Sequence, residues 1–217
     1  MPVPNVYWMD EFGEYLGTPS LISKFVSGVQ KPAHIPSNVT GMGIHFPREY
    51  RETIVPDYAR YMAALHRAVP GDSELSAFVR PAVGTTQAAE LVLNWWARTW
   101  KEDLYEEAPI ATLTEKWLRR HAPVLDHMSA VHGDFRTGNF LLDEKTRKIT
   151  AILDWELGYF GDRHGDLGWV LTDLYITRES GKPFHCGLFD SEDALVEAYE
   201  AADGLPINRK TLAWHKI

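Results

Sequence analysis

The stretch from residue 132 to residue 166 constrains this chain more than any other, because it fixes polar residues at the two ends of a short hairpin. It opens with His132-Gly133-Asp134-Phe135-Arg136-Thr137-Gly138-Asn139. Two apolar runs follow, at 140–142 and 149–153, separated by a polar run at 143–148. If they pair antiparallel, the turn centres near Thr146 and residues equidistant from it face one another. Asn139 then comes opposite Asp154, with Cα atoms roughly 4.5–5.5 Å apart. One oxygen from each side chain can reach a single Mg2+, a hard cation that takes oxygen ligands at roughly 2.0–2.1 Å. Asp134 lies just before the first strand, near the same ion and free to face a hydroxyl group.

Around this hairpin the pattern is mainly helical. Residues 6–9 and 21–26 read as two short strands with Gly13 and Gly17 between them. Residues 31–47 are rich in Pro, Gly and His without a period, which predicts a loop. Residues 48–69 carry Ile54, Tyr58, Met62 and Leu65 at helical spacing, with Pro56 marking a break or a fresh first turn and Pro70-Gly71 ending the element. Residues 86–104 and 109–121 predict two more helices. The first places Leu91 and Trp95 on one side; the second turns Ile110, Leu113, Trp117 and Leu118 inward. Strands are expected at 129–132 and in the two hairpin arms, and a buried helix at 167–176. A helix at 191–202 has Asp190 or Ser191 as its cap and Gly204 as its stop. A last helix starts after Asn208. The Trp95, Trp96 and Trp100 group reads as core, and His66 as a packed structural histidine.

Composition narrows the function classes. The chain has 217 residues, 45% of them hydrophobic and 24% charged, which suits one large domain or two small ones. Its net charge of −8 leaves no basic stripe, so a nucleic-acid partner is not expected. Cys186 is the one cysteine, which excludes an internal disulfide or a thiolate metal cage. No apolar run is long enough to span a membrane, and the N-terminal residues lack a signal-peptide pattern, so a cytoplasmic location is expected.

The hairpin block resembles the aminoglycoside phosphotransferase family, also called the phosphotransferase enzyme family, which has a protein-kinase-like α+β fold. The motif H-G-D-x-x-x-x-N matches at His132, Gly133, Asp134 and Asn139. The block I-x-x-[IVL]-[IVL]-D-[WF]-E matches from Ile149 to Glu156. The block G-D-x-x-x-D-L-[AG] matches at Gly161, Asp162, Asp166, Leu167 and Gly168. The hinge pattern G-x-P-x-[LF]-[IV]-x-x-x-x-x-G fits from Gly17 to Gly28. Three blocks in the right order make a specific signal; one alone is weak. The H-G-D-F-R and L-D-W-E variants are similar to the branch found with acyl-CoA dehydrogenases.

The resemblance implies transfer of the ATP γ-phosphoryl group to a hydroxyl on a small molecule, with Asp134 as base and Asn139 and Asp154 holding Mg2+. The backbone around Lys24, Phe25 and Val26 would meet adenine. Leu141 points the same way as Asn139 along its strand, and with Leu153 or Ile152 would form an apolar floor under that ring. His132 is expected to anchor the loop by hydrogen bonds. Arg136 would contact substrate or phosphate, or form a surface ion pair. Asp162 and Asp166 would accept backbone hydrogen bonds that brace the loop, and Glu156 is a candidate contact for a second metal or its waters. Arg163-His164 departs from the family, where Pro is common, and bears on local loop shape.

Residues 1–28 then correspond to the tail of a small lobe and the hinge, and residues 29–217 to a large lobe that looks cut at its C-terminus. Only sixteen residues precede Gly17. The covering loop, strand lysine and helical glutamate of the family have no counterpart there, and Gly41-Met42-Gly43 is no substitute. A second reading is therefore a truncated or inactive kinase-like lobe that binds a partner or has no activity. A third is a metallophosphoesterase, since Gly161-Asp162-Arg163-His164-Gly165 matches G-D-x-H-G. That class needs two metals and more ligands than the sequence offers.

Overall fold

The computed structural model describes residues 1–33, 35, 44–68, 75–103, 106 and 108–217. Among these the chain is α+β, with helices dominating and the strands in two-stranded antiparallel pairs. Gly41-Met42-Gly43 and the Pro70-Gly71 stop lie outside the described residues, as do parts of the expected loop at 31–47 and Leu104.

The centre of the molecule is α1 (Arg48–Arg67). Its apolar residues recur every three or four positions, and Tyr50, Ile54, Tyr58, Met62 and Leu65 form one buried stripe. Each such side chain stabilises the fold by about 1.5–3 kcal/mol relative to exposure. Pro56 does not break the helix. It removes one donor, and both Pro56 and Glu52, whose carbonyl loses its partner, face solvent. The stripe packs against α5 (Glu192–Ala201) through Leu195, Val196 and Tyr199. Ser191 caps α5 by accepting from Ala194 N at 3.1 Å. Asn208 caps α6 (Arg209–His215) in the same way, accepting from Lys210 N and Thr211 N.

α2 (Gln87–Asp103) and α3 (Pro109–Arg120) pack together in a second small cluster of Ala89, Leu93, Leu118 and Trp214. Here the inward face expected for α3 is corrected. Only Leu118 is buried, while Ile110 is 80% and Leu113 66% exposed. The apolar face of α3 is wider than the surface that α2 and α6 offer it. The tryptophan group is corrected too: Trp95, Trp96 and Trp100 are all exposed rather than core.

The strands sit around the segment 132–166. β1 (Val6–Asp10) pairs with β2 (Ser20–Ser23), and the last rung beyond β2 is Lys24 N on Asn5 O at 2.8 Å. The second strand is therefore shorter than expected, ending before Val26. β3 (Ser129–Val131) pairs with β6 (Tyr159–Gly161), and β4 (Phe140–Leu142) with β5 (Ile149–Ile152). The helix expected at 167–176 is divided. α4 (His164–Val170) stops, a single 3-10 turn covers Asp173–Tyr175, and β7 (Ile176–Glu179) begins. β7 forms a hairpin with β8 (Lys182–His185) through Ser180 and Gly181, both at positive φ. No helix among the described residues is long and apolar enough to cross a membrane.

Candidate active site

The loop after β3 is held by one buried carboxylate. Asp166, in the first turn of α4, accepts from His132 N at 2.9 Å and from Gly133 N at 2.8 Å. It also bonds His66 Nε2 at 3.0 Å, and neither side chain of this pair is exposed. Two successive loop amides are thus fixed to α4, and α4 to the end of α1. Gly133 has φ +82°, and a Cβ there would stand 2.4 Å from Leu157 O, so both conformation and space require glycine. His132 Nδ1 accepts from Asp134 N at 3.2 Å. The ring proton therefore sits on Nε2, which donates to Leu153 O at 3.0 Å. The imidazole is a strut between the loop and the end of β5. Tyr58 OH donates to Phe135 O at 2.6 Å, and the Phe135 ring is fully buried beneath the loop.

These restraints present Asp134 with its carboxylate gripped by three donors. Trp169 Nε1 donates to Oδ1 at 2.6 Å. Arg136 Nε lies 2.9 Å from Oδ2 and 3.2 Å from Oδ1. Asn139 Nδ2 donates to Oδ2 at 2.8 Å and to the Asp134 carbonyl at 3.0 Å. Arg136 is thus neither a surface ion pair nor free, because the short loop folds its guanidinium back onto Asp134. Asn139 closes a 3-10 turn, Thr137–Asn139, that leads into β4. With its amide nitrogen committed to Asp134, its Oδ1 accepts no hydrogen bond among the described residues.

The hairpin register differs by one residue from the symmetric expectation. Phe140 pairs with Ile152 and Leu141 with Ala151, but Leu142 pairs with Ile149, so Thr150 is a bulge. Leu153 N donates to Asn139 O at 2.8 Å, and Leu153 rather than Asp154 stands opposite Asn139. Asp154 follows immediately with φ +67° and is exposed. A left-handed residue at a strand end redirects its side chain out of the ladder alternation. Leu141 and Leu153 are half-buried, whereas Ile152 is fully buried.

The hinge segment reaches the same hairpin. Val29 and Leu142 exchange both backbone hydrogen bonds, at 2.8 and 2.9 Å. Gly28 lies so close that a Cβ would meet Leu141 Cβ at 2.9 Å. Lys24 and Phe25 are exposed and Val26 is half-buried just ahead of this contact.

A cleft of about 420 Å³ opens beside the loop, lined among others by Gly133, Glu156, Trp95, Trp96, Phe160 and Trp169. Glu156 is exposed on this cleft. The bracing expected of Asp162 is corrected. It is buried and bonds within its own turn, to His164 N at 3.0 Å and His164 Nδ1 at 2.5 Å. This also removes Asp162 and His164 as open metal ligands, and no cluster of three or more His, Cys, Asp or Glu suited to a metal occurs among the described residues. Arg163 is buried and forks onto Asp126 at 2.6 and 2.8 Å, anchoring the turn to the segment before β3. Sequence reasoning missed Trp169 as a partner of Asp134 and His66 as a partner of Asp166. They lie 35 and 100 residues from those partners, beyond the reach of local patterns.

Known proteins are similar to this chain. Acyl-CoA dehydrogenase family member 10 of Mus musculus is 24% identical over 177 residues, 81% of this chain and 15% of that protein. Acyl-CoA dehydrogenase family member 11 of Rattus norvegicus is 33% identical over 124 residues, 54% of this chain and 16% of that protein. The chain therefore spans only a small part of these curated relatives. The crystal structure of a candidate aminoglycoside phosphotransferase from Ralstonia eutropha JMP134 superposes with a TM-score of 0.73 at 25% identity, over 99% of this chain and 65% of that one. A thermostable mutant of aminoglycoside phosphotransferase APH(4)-Ia, solved with ADP and hygromycin B, has a TM-score of 0.53 at 20% identity over 78% of this chain and 55% of that one. The sequence model of the phosphotransferase enzyme family matches residues 1–215, and the chain belongs to that family.

Proposed function

We propose that this chain carries the site of an ATP- and Mg2+-dependent transfer of a phosphoryl group to a hydroxyl of a small molecule. The observation that carries the reading is the Asn139 side chain, whose nitrogen holds Asp134 while its oxygen stays uncommitted. Asp134 is the proposed base. It accepts the proton of the acceptor hydroxyl as that oxygen bonds to the γ-phosphorus and the bond to the ADP oxygen breaks. Asn139 and Trp169 keep the carboxylate oriented, and His132 and Asp166 keep the loop from moving. The donor set fits Mg2+: Asn139 Oδ1 and the Asp154 carboxylate are hard oxygens. Bound there, the ion would neutralise charge on the phosphates.

The backbone at Lys24, Phe25 and Val26, with Leu141 and Leu153, is the proposed adenine seat, supported by the packing of Gly28 on Leu141. In this reading residues 1–28 serve as hinge and small-lobe strands, and residues 29–217 as the large lobe. The ADP and hygromycin B bound to the APH(4)-Ia relative support a nucleotide and a small acceptor. A single buried thiol at Cys186 suits the reducing cytoplasm proposed as its location.

The test is incubation with ATP and Mg2+ against hydroxyacyl-CoA esters, aminoglycosides and generic protein substrates, following ADP and the phosphorylated product. Asp134→Asn should lower small-molecule turnover by about 10²–10⁴-fold. Phosphorylation of protein alone would overturn the proposal.

A further inference from the structure

We infer that the acceptor is an uncharged alcohol with a flat aromatic body, seated in the tryptophan-walled cleft and reported to Asp134 by Trp169. This rests on the reading of Asp134 as base and adds the class of molecule it serves.

Three observations carry it. First, the cleft and the reacting carboxylate share a residue. Trp169 lines the cleft, and its Nε1 donates to Asp134 Oδ1 at 2.6 Å. Gly133, the neighbour of Asp134, lines it as well. Asp134 itself is outside the lining, so the indole edge of Trp169 and the Gly133 backbone are what connect a body in the cleft to the carboxylate.

Second, the wall is built of indoles in contact. Trp96 stacks on Trp169 with centroids 5.7 Å apart and planes 22° apart, and Trp95 meets Trp96 edge-on at 4.7 Å. Trp95 and Trp96 each stay 42% exposed, so the array is open for a further ring to join. Aromatic rings pair offset-stacked or edge-on, as these indoles do, and such pairs contribute about 0.5–1.5 kcal/mol beyond their buried area. The cleft's volume of about 420 Å³ is within the usual size for a small-molecule site.

Third, the lining offers little to a polycation: among the described residues Glu156 is its one carboxylate. Several ammonium groups would lose their water here without gaining carboxylate partners. Transfer to an aromatic alcohol would form one oxygen–phosphorus bond, break the bond to ADP, leave the hydroxyl proton on Asp134, and yield a phosphate monoester.

The proposal is tested by binding, which needs no turnover. 2-(2-Naphthyl)ethanol and kanamycin are titrated into the chain and followed by saturation-transfer NMR and calorimetry. The naphthyl alcohol should bind, and its affinity should fall at least tenfold in Trp96→Ala and in Trp95→Ala and return in Trp96→Phe. Kanamycin should not bind in the cleft. Absent naphthyl binding, wild-type affinity retained in both alanine variants, or tighter kanamycin binding would each overturn the inference. A naphthyl alcohol that binds but is not phosphorylated, while another small-molecule alcohol is, would overturn the acceptor class and leave Asp134 as base. A naphthyl alcohol phosphorylated equally fast by Asp134→Asn would retire Asp134 as base and leave the cleft assignment standing.

Discussion

Trp169 donates its indole N–H to Asp134 Oδ1 at 2.6 Å, bridging α4 and the loop after β3. With Arg136 and Asn139 it brings four donor contacts to a carboxylate that has about four lone-pair sites. An incoming hydroxyl must displace one of them. Arg136, the partly exposed partner whose Nε is shared between both oxygens, is the contact that yields most readily. The loop is therefore rigid at its backbone and adjustable at one side chain.

The first prediction concerns that indole. Trp169→Phe keeps an aromatic ring in the wall but removes the donor. A hydrogen bond to a charged group contributes about 1.5–3 kcal/mol, so acceptor turnover should fall by roughly 10–150-fold if the bond orients Asp134 in the transition state. The check is kcat and KM for acceptor beside a thermal melt. A change in Tm without a change in kcat would assign Trp169 to packing alone.

The second concerns metal. Asn139→Ala and Asp154→Ala should each weaken Mg2+-dependent ATP binding by roughly 10–100-fold, since each removes a hard oxygen or its support. Asp154→Gly provides the matched control for folding, because glycine adopts φ near +67° without steric cost. Its Tm should stay near the wild type while metal-dependent binding is lost. Calorimetric titration of ATP with and without Mg2+ decides it, and unchanged binding in all three variants would remove both residues from the site.

Much of the fold was legible from local chemistry, and the failures have physical causes. The α5 and α6 boundaries follow from Ser191 and Asn208, whose side chains bond the first turn directly. The loop and hairpin order were readable because His132, Asp134 and Asn139 have fixed spacing. The pairing of Asn139 was off by one, since symmetry about a turn presumes no bulge and Thr150 is one. The run at 167–176 has helical composition, yet the chain leaves α4 after Val170 to form β7, a pairing set by Ser180-Gly181 further on. The exposure of Trp95 and Ile110 depends on which surfaces neighbours cover, which no single segment encodes.

A third prediction tests the brace. Asp166→Ala would leave two loop amides and His66 without their common acceptor in a buried site. Leaving buried donors unsatisfied costs about 1–3 kcal/mol each, so losing the shared acceptor of all three lowers Tm by at least roughly 6 °C in a chain of this size. His66→Phe removes only one of the three bonds and should cost less. A Tm for Asp166→Ala within about 2 °C of wild type would show that the loop is held by other contacts.

The last prediction is an acid limb of stability set by Asp162. Burial pushes its carboxyl upward, but the hydrogen bonds from His164, with the charge of His164 and of His215 standing 3.7 Å away, outweigh this and hold it well below the usual carboxylate range. A folded-state value below the unfolded value of about 3.9 means that the unfolded chain binds the proton first. The stabilisation is therefore fully present above about pH 4 and is lost as pH falls from there toward the folded value. The groups that face Asp162 are His164 and His215, with Asp126 and Arg163 on the adjoining turn. Asp126 is itself held low by Arg163 and titrates in the same region, so the wild-type curve alone does not isolate Asp162. The difference between wild type and Asp162→Asn does. Urea unfolding should show the variant less stable at pH 5, and the two curves converging between pH 4 and pH 2.5 with a relative slope of up to about 1.4 kcal/mol per pH unit. Curves that stay parallel through that window would mean that the charge of Asp162 contributes nothing, and that its bonds to His164 are equally served by an amide.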